Sequence, residues 1–451
     1  MGQLFGTDGI RGVANRYPMD VQTAVWVGEA IALEFLNKKV GSVAQVVIGQ
    51  DTRLSGDMLV QAVSAGMCSA GVHVTQLGVL PTPAIARLAV ASGAVAGVVI
   101  SASHNPFEDN GIKVFDGTGH KLPDHREAQI EARVLEKAAS TTTRGYGYHV
   151  GRVTQRPNAG DQYVQFLIDA IDLKPLDGIT IAIDCAHGAT YQVAPKLFKQ
   201  LGANIIALYC EPNGTNINAK CGSQHPEHLA QTVCEFEADI GFAFDGDGDR
   251  LIAVDETGRV LSGDQIMAVC AKDLYQKGAL KNNKVVSTVM SNLGFKTALS
   301  EMGLQHYAAQ VGDRYVMEMM LAEDAILGGE DSGHLIFHDV HTTGDGLMAA
   351  LRLLSAVQRA GKPLSQLAKV MNVFPQELIN VEVTHKPDIN GIPEIASIIK
   401  KIENTLGDQG RVLVRYSGTQ NMCRVMVEGP TKAQTEMLCR QIAGVVKAAI
   451  G

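Results

Sequence analysis

The hexapeptide DGDGDR sets Asp245, Asp247 and Asp249 at alternate positions, with glycines between them and Arg250 directly behind. Glycine admits a backbone tight enough to turn all three carboxylates inward. Crowded carboxylates repel unless a cation sits among them, and hard oxygen ligands favour Mg²⁺ or Ca²⁺ over metals that prefer nitrogen and sulfur. Arg250 suggests an anion close to that metal. A calcium-binding helix-loop-helix loop begins the same way and has an acid at its twelfth position, here Glu256. It needs glycine where this chain has Arg250, and helices where this chain has the strand-like IGFAF and LIAV. A solvated acidic turn is the blander alternative, although strands buried on both sides rarely end in three unpaired carboxylates.

A second polar cluster closes the run VVISASHNP, residues 98–106. Ser103 and His104 are adjacent, so this is not a Ser-His-Asp arrangement, in which base and nucleophile face each other from separate elements. A serine can instead carry a phosphoryl group. Phosphate needs a cation partner, and the loop of three aspartates and an arginine could hold Mg²⁺ against it. Lys113, in DNGIKVF, is close enough in sequence to fold back as a cation or as a general acid/base. The same residues also suit a strand-ending turn with Asn-Pro chemistry. The pattern alone does not choose between Ser101 and Ser103.

Both clusters end apolar runs, and those runs recur. Runs suited to buried parallel strands, each followed by a turn and a helical pattern, come in three sets. The first is VVIG, VHVTQL and AGVVIS before ASHNP; the second is ITIAID, ANIIALY and DIGFAF before DGDGDR; the third is KVVSTV, QHYAAQ and AILGG before EDSGH. Such weak repetition predicts parallel sheets with right-handed crossovers, and ligands collect beyond the carboxyl ends of their strands. The three closing loops are therefore where chemistry is expected. After about residue 370 the pattern changes to that of a small α+β domain with antiparallel strands. Boundaries are expected near residues 150, 255 and 370, giving domains 1–150, 151–255, 256–370 and 371–451.

Whole-chain properties narrow the classes. At 451 residues the chain exceeds one ordinary core, and 46% hydrophobic with 19% charged residues is globular composition. A net charge of -8 without a Lys/Arg block argues against nucleic-acid binding. No run approaches the roughly 18 apolar residues of a membrane span. The start MGQLFGTDGIRG carries charges early and lacks a signal core, and Gly6 stands where a myristoylation signal wants Ser or Thr. A cytoplasmic protein is expected. The eight cysteines include no C-x-x-C pair, so neither zinc nor disulfides are signalled.

SASHNP followed by DNGIKVF, DGDGDR, GGEDSGH and RYSGT, in this order and spacing, resembles the α-D-phosphohexomutase superfamily across essentially the whole chain. FGTDGIRG, NGTNINAKCGSQH, VGDRYV and TTGDG are similar to its hexosamine-phosphate branch rather than to its phosphomannomutase/phosphoglucomutase branch, which is the alternative. The resemblance implies three similar α/β domains with mixed, mostly parallel sheets plus a smaller C-terminal α+β domain, all around a central cleft. It implies that Ser103 carries the phosphoryl group while Ser101 is a strand residue. Asp245, Asp247 and Asp249 would complete an Mg²⁺ site with a phosphoserine oxygen. Arg11, His104, Lys113 and Arg250 would surround the transferring group, because phosphoryl transfer rests mostly on positioning and electrostatics.

The resemblance further assigns Glu330, Ser332 and His334 to sugar binding. A carboxylate and a hydroxyl two residues apart in an extended loop point the same way. Arg415, Ser417, Gly418, Thr419 and Arg424 would grip the phosphate that is not being transferred. Glucosamine or glucose 1,6-bisphosphate is implied as activator, a sugar phosphate as the small-molecule partner, a homodimer as the assembly, and a place on the route to UDP-N-acetylglucosamine and the cell wall. Two positions depart from the branch: SGTQN replaces the usual SGTEP, and His187 stands where asparagine is usual. A metal- and sugar-phosphate-binding protein and an Mg²⁺ phosphatase are the rivals from other classes.

Overall fold

The computed structural model describes residues 3–6, 8–36, 44–137, 147–417 and 421–451. The chain forms two compact units, Met1–Val289 with Gln305–Ala368, and Met290–Leu304 with Lys369–Gly451. The first contains three sheets built on one plan. In the first sheet Gln45–Gln50 lies between His73–Val79 and Ala96–Ile100, all parallel. In the second, Thr180–Asp184 lies between Asn204–Leu208 and Ile240–Phe244. In the third, Lys284–Thr288 lies between Gln305–Ala309 and Leu327–Gly329. These are the three expected sets of strands.

Each set then reverses. Asp109–Asp116, Leu251–Asp255 and Leu335–Phe337 pair antiparallel with Ala96–Ile100, Ile240–Phe244 and Leu327–Gly329 respectively. Every closing loop is thus the turn of a hairpin whose strands are buried, so its polar groups are delivered to one fixed end of a rigid element. The first sheet is widened by the hairpin Phe5–Gly6 and Gly9–Val13 beside Asp109–Asp116. At its other edge Val153–Gln155 runs parallel to His73–Val79. Ala96–Ile100 is buried throughout. Val98 and Ile100 face helices Val21–Leu36 and Gly56–Ser69 through Val27, Ile31, Val63 and Met67, while the other face, with Gly97 and the buried Val99, lies against Ile85 and Ala89 of helix Thr82–Ala91, which is why the run is apolar on consecutive residues.

The second unit has an antiparallel sheet with strand order Gln376–Glu382, Met422–Glu428, Arg411–Tyr416. Helices Pro393–Leu406 and Lys432–Ile450 pack on the face formed by Val412, Val414, Val425 and Val427. Alternation sends Arg411, Arg415, Arg424 and Glu428 to the other face. The segment Met290–Leu304 belongs to this unit: Leu293 N donates to Glu428 Oε2 at 2.8 Å.

Candidate active site

The loop after Ile100 is built around two serines with different tasks. Strand pairing ends at Ile100, so Ser101 opens the loop rather than lying in the strand, although its N–H still donates to Gly111 O. Ser101 Oγ donates to the buried carboxylate of Asp51 at 2.5 Å and accepts from Ser103 N at 2.9 Å. Ser103 adopts φ 53°, a left-handed conformation uncommon outside glycine. Two long-range clamps hold it there. Arg53 donates to Ser103 O and Asn105 O, both at 2.8 Å, and is itself held by Asp51 at 2.8 Å. Asn218 Nδ2 donates to the same two carbonyls at 2.9 and 3.0 Å. Replacing Arg53 by methionine strands a buried Asp51 carboxylate, so a loss of about 3–5 kcal/mol is expected in urea titrations. The double variant with Asp51→Asn should recover much of it.

Ser103 Oγ donates to Asp245 Oδ2 at 2.6 Å, across 142 residues of sequence. The DGDGDR turn comes this close because of its glycines: a Cβ on Gly246 would lie 2.5 Å from Ser103 O, and Gly248 has φ 70°. Asp245, Asp247 and Asp249 are all buried, and ligand oxygens of the three lie within 4.8 Å of one another. Flanking them are strands in unbroken antiparallel register, which removes the helix-loop-helix reading. Asp247 Oδ2 accepts from Thr82 Oγ1 at 2.6 Å and from Lys113 Nζ at 2.9 Å. Among the described residues, Asp247 Oδ1 and Asp249 Oδ1 are buried without a hydrogen-bond donor. Burial and the charges of Asp249 and Asp247 push the Asp245 carboxyl well above its ordinary range. Two orphaned carboxylate oxygens, beside a third carboxylate whose ionisation is opposed by its neighbours, fit a hard divalent cation.

Cations rim this centre. Lys113, 2% exposed, reaches Asp247 and Asp8 at 2.9 Å and Asp249 at 3.9 Å. Burial alone would discharge it, but Asp247 and Asp8 outweigh burial and raise its pKa, so it stands as a charged ammonium. Arg11 pairs with Asp8. Arg250 Nε lies 3.7 Å from Asp249 Oδ1, and its backbone N–H donates to Asp245 Oδ1 at 3.2 Å. His104 Nδ1 is 3.4 Å from Ser103 Oγ. Burial, with Arg250 and Arg11 close by, depresses its pKa to about 4, leaving a neutral imidazole.

The third closing loop corrects one expectation. Residues 330–334 are not extended: Gly333 N donates to Glu330 O and Glu330 N to His334 O, so the segment is a tight turn. The two-residue alternation of an extended strand therefore does not govern Glu330 and Ser332. Glu330 Oε1 instead accepts from Gly312 N at 3.0 Å, and Ser332 is exposed. His334 is buried, with Nδ1 3.5 Å from Asp249 Oδ2 and Nε2 3.6 Å from Asp313 Oδ2. The three loops thus converge, and Ser103, His104, Lys113, Arg11, Arg250, the aspartates and His334 are brought together. Sequence reasoning missed Asp8, Asp51, Arg53, Thr82 and Asn218. Asp51 and Arg53 follow the carboxyl end of Gln45–Gln50, where the rule that singled out SASHNP also points.

In the second unit, strand register sets Arg415 directly opposite Arg424, and Arg411 opposite Glu428. The latter pair is an ion pair at 2.8 Å. The former is a like-charge pair on the same sheet face, which costs stability. Both Nε atoms are buried without an acceptor among the described residues. The opposed guanidiniums leave an excess of positive charge on this face of the sheet. Ser417 is buried beside them, and its N–H donates to Met422 O at 2.9 Å. Lys386, unremarked in the sequence, donates to Ser417 O at 2.9 Å. Gly418 and Thr419 lie outside the described residues.

Comparison with known proteins agrees with this geometry. Models of the phosphoglucomutase/phosphomannomutase family match in order: α/β/α domain I over residues 2–141, domain II over 161–258, domain III over 262–374, and the C-terminal domain over 378–445. The chain belongs to this family, the α-D-phosphohexomutases, and is an isomerase of the phosphotransferase type. Among its relatives, the phosphoglucosamine mutase of Syntrophus aciditrophicus is 52% identical over the whole of both chains. That of Syntrophobacter fumaroxidans is 53% identical, again over both whole chains. A phosphoglucomutase/phosphomannomutase family protein from Burkholderia thailandensis superposes with a TM-score of 0.80 at 25% identity, covering 98% of this chain and 97% of that one. Aspergillus fumigatus N-acetylphosphoglucosamine mutase, solved with GlcNAc-6P and magnesium, shares the fold at a TM-score of 0.67 and 17% identity, covering 99% and 96%. No helix among the described residues is long and apolar enough to cross a membrane.

Proposed function

We propose that this chain is a phosphoglucosamine mutase, interconverting glucosamine 6-phosphate and glucosamine 1-phosphate through a phosphorylated Ser103 and a 1,6-bisphosphate. The observation that carries the reading is the 2.6 Å contact between Ser103 Oγ and Asp245 Oδ2, made by a strained, doubly clamped serine. The relatives at 52% and 53% identity supply the sugar. In the first half-reaction the substrate's C1 oxygen forms a bond to the phosphorus on Ser103 as the Oγ–P bond breaks, and the hydroxyl proton leaves to the groups beside Ser103, of which His104 stands near. After the bisphosphate turns over, Ser103 Oγ takes the C6 phosphoryl group and glucosamine 1-phosphate leaves.

Asp245, Asp247 and Asp249, with an oxygen of phosphoserine, would hold Mg²⁺, which supplies positive charge to the transferring group when bound. Lys113, Arg11 and Arg250 add fixed positive charge around the same oxygens, where preorganised charge acts most strongly. Glu330, Ser332 and His334 bind the sugar, and Arg415, Ser417 and Arg424 bind the phosphate not being transferred. A 1,6-bisphosphate serves as activator by rephosphorylating Ser103 when the intermediate escapes. The cytoplasm is the site of action. For Arg424→Ala, KM should rise roughly 10- to 100-fold, the worth of a charge-assisted hydrogen bond, without loss of thermal stability, since a like-charge pair is relieved.

The deciding experiment compares steady-state turnover of glucosamine, glucose and mannose 6-phosphates with Mg²⁺ and glucose 1,6-bisphosphate present, while inorganic phosphate is followed. Preference for the amino sugar without phosphate release is expected. Preference for mannose or glucose phosphate would move the chain to the other branch of the family, and stoichiometric phosphate release would make it a phosphatase.

A further inference from the structure

Lys121 has no part in the chemistry described so far, yet it is nearly buried, with 13% of its side chain exposed, and it touches two carboxylates from different parts of the chain. A bridge between Phe115 and Lys121 folds the backbone back on the strand Asp109–Asp116, which also carries Lys113. From there the ammonium reaches Asp8 Oδ1 and Asp313 Oδ2. Each partner leads to the transfer centre. Asp8 Oδ2 holds Lys113 Nζ at 2.9 Å and Arg11. Asp313 Oδ2 is 3.6 Å from His334 Nε2, and His334 Nδ1 is 3.5 Å from Asp249 Oδ2.

These contacts form a ring of close approaches, in which the His334–Asp313 step at 3.6 Å is proximity alone, since His334 Nε2 accepts from Gly344 N at 3.2 Å. It runs from Lys121 through Asp8 to Lys113, from Lys113 to Asp247 and Asp249, and from Asp249 through His334 and Asp313 back to Lys121. Asp8, Lys113 and Lys121 come from the region of the first sheet, Asp247 and Asp249 from the turn of the second. His334 comes from the turn of the third, and Asp313 opens the helix Asp313–Glu323 that follows strand Gln305–Ala309. Stability alone gives poor grounds for such a bridge, because two desolvated carboxylates and a long side chain held in one rotamer are no better than well-packed apolar residues. Geometry gives better grounds: a doubly engaged ammonium fixes the separation of its two partners, and through them the places of Lys113 and His334.

We propose that Lys121 is a positioning residue for phosphoryl transfer, joining Asp8 to Asp313 so that Lys113 and His334 are held in register around Asp247 and Asp249. The proposal rests on the reading of Ser103 as the transfer site. Lys121 acts directly on Lys113 through Asp8, which it shares with that lysine, and only at one remove on the sugar-binding His334 through Asp313, so its removal disturbs phosphoryl transfer more than the affinity for sugar phosphate.

The test uses the full chain with glucosamine 6-phosphate, Mg²⁺ and glucose 1,6-bisphosphate, with kcat and KM determined per folded, phosphorylated enzyme and thermal midpoints recorded in parallel. Lys121→Met should lower kcat on the order of 10²-fold, the cost of misplacing reacting groups by about an ångström, while KM stays within about 3-fold. Lys121→Arg, which keeps the charge and both contacts, should restore most of the rate. The double variant Lys121→Met with Asp313→Asn leaves fewer unpaired buried charges and should be no slower than Lys121→Met alone, which gives the reading even where the single variant folds poorly. A folded Lys121→Met enzyme with kcat close to wild type overturns the proposal, as does a loss of activity explained entirely by loss of folded protein. A wild-type enzyme that transfers no phosphoryl group to any hexose phosphate overturns the reading of the reaction and this proposal with it; an active wild type with an unimpaired Lys121→Met overturns this proposal alone.

Discussion

Ser103→Ala is expected to lower turnover by on the order of 10⁴-fold or more, equivalent to about 5 kcal/mol of lost transition-state stabilisation, and to leave a protein without phosphoserine by intact-mass measurement. The fold should survive. The contacts that hold the loop run through the backbone of residue 103: its N–H to Ser101 Oγ, and its carbonyl to Arg53 and Asn218. An alanine keeps all of these, and only the hydroxyl facing Asp245 is lost. Ser101→Ala is the informative partner. It removes an acceptor for Ser103 N and a donor to the buried Asp51, so a stability loss of about 1–3 kcal/mol and a partial loss of rate are expected, with phosphoserine retained. Phosphoserine persisting in Ser103→Ala and vanishing in Ser101→Ala would reverse the assignment of the two serines.

That assignment separates what is legible in the sequence from what is not. The strands that end each set, Ala96–Ile100, Ile240–Phe244 and Leu327–Gly329, stand out because burial on both faces makes each a short apolar run, and the chemistry follows each run's end; edge strands such as Asn204–Leu208 and Gln305–Ala309 are half exposed and show less. The reversal of direction after each loop is less visible. Asp109–Asp116 and Leu251–Asp255 read as strands in isolation, but only the shortness of the intervening turn makes them antiparallel partners. The clamps are less visible still. Arg53 and Asn218 act on backbone carbonyls 50 and 115 residues away, and a bond to a carbonyl demands no particular residue type at the acceptor. Thr82 bonds the Asp247 carboxylate itself, but from 165 residues away, and a lone threonine after a strand carries no pattern that points there. Arg415 and Arg424 are visible as basic residues, but their opposition depends on the register of two strands, which composition does not show. The tight turn at residues 330–334 escapes because a short polar loop carries no periodicity to read.

The acidic triad makes the last prediction, in which stability and activity move in opposite directions. Without a cation, Asp245, Asp247 and Asp249 are buried together, offset by Lys113, Arg250 and the nearby His334 and Arg11. Asp245 is the member whose neighbours are least favourable, since burial and the charges of Asp249 and Asp247 all oppose its ionisation. Asp245→Asn preserves shape and leaves an amide oxygen for either of the donors now on Asp245, Ser103 Oγ and Arg250 N. In chelator-treated protein it should therefore raise the thermal midpoint, by about 1 kcal/mol of relieved repulsion. Added Mg²⁺ reverses the order. Wild-type protein gains stability with ion concentration, about 2.7 kcal/mol at a hundredfold excess over the dissociation constant, whereas Asp245→Asn gains little. Turnover of the variant should fall on the order of 10³-fold, because the charge that the ion contributes to the transferring phosphoryl group is lost with its ligand. Equal stabilisation of the two proteins by Mg²⁺, or full turnover of the wild type after chelation, would remove the metal from this site and leave three buried carboxylates whose charge Lys113, Arg250, Arg11 and His334 must balance.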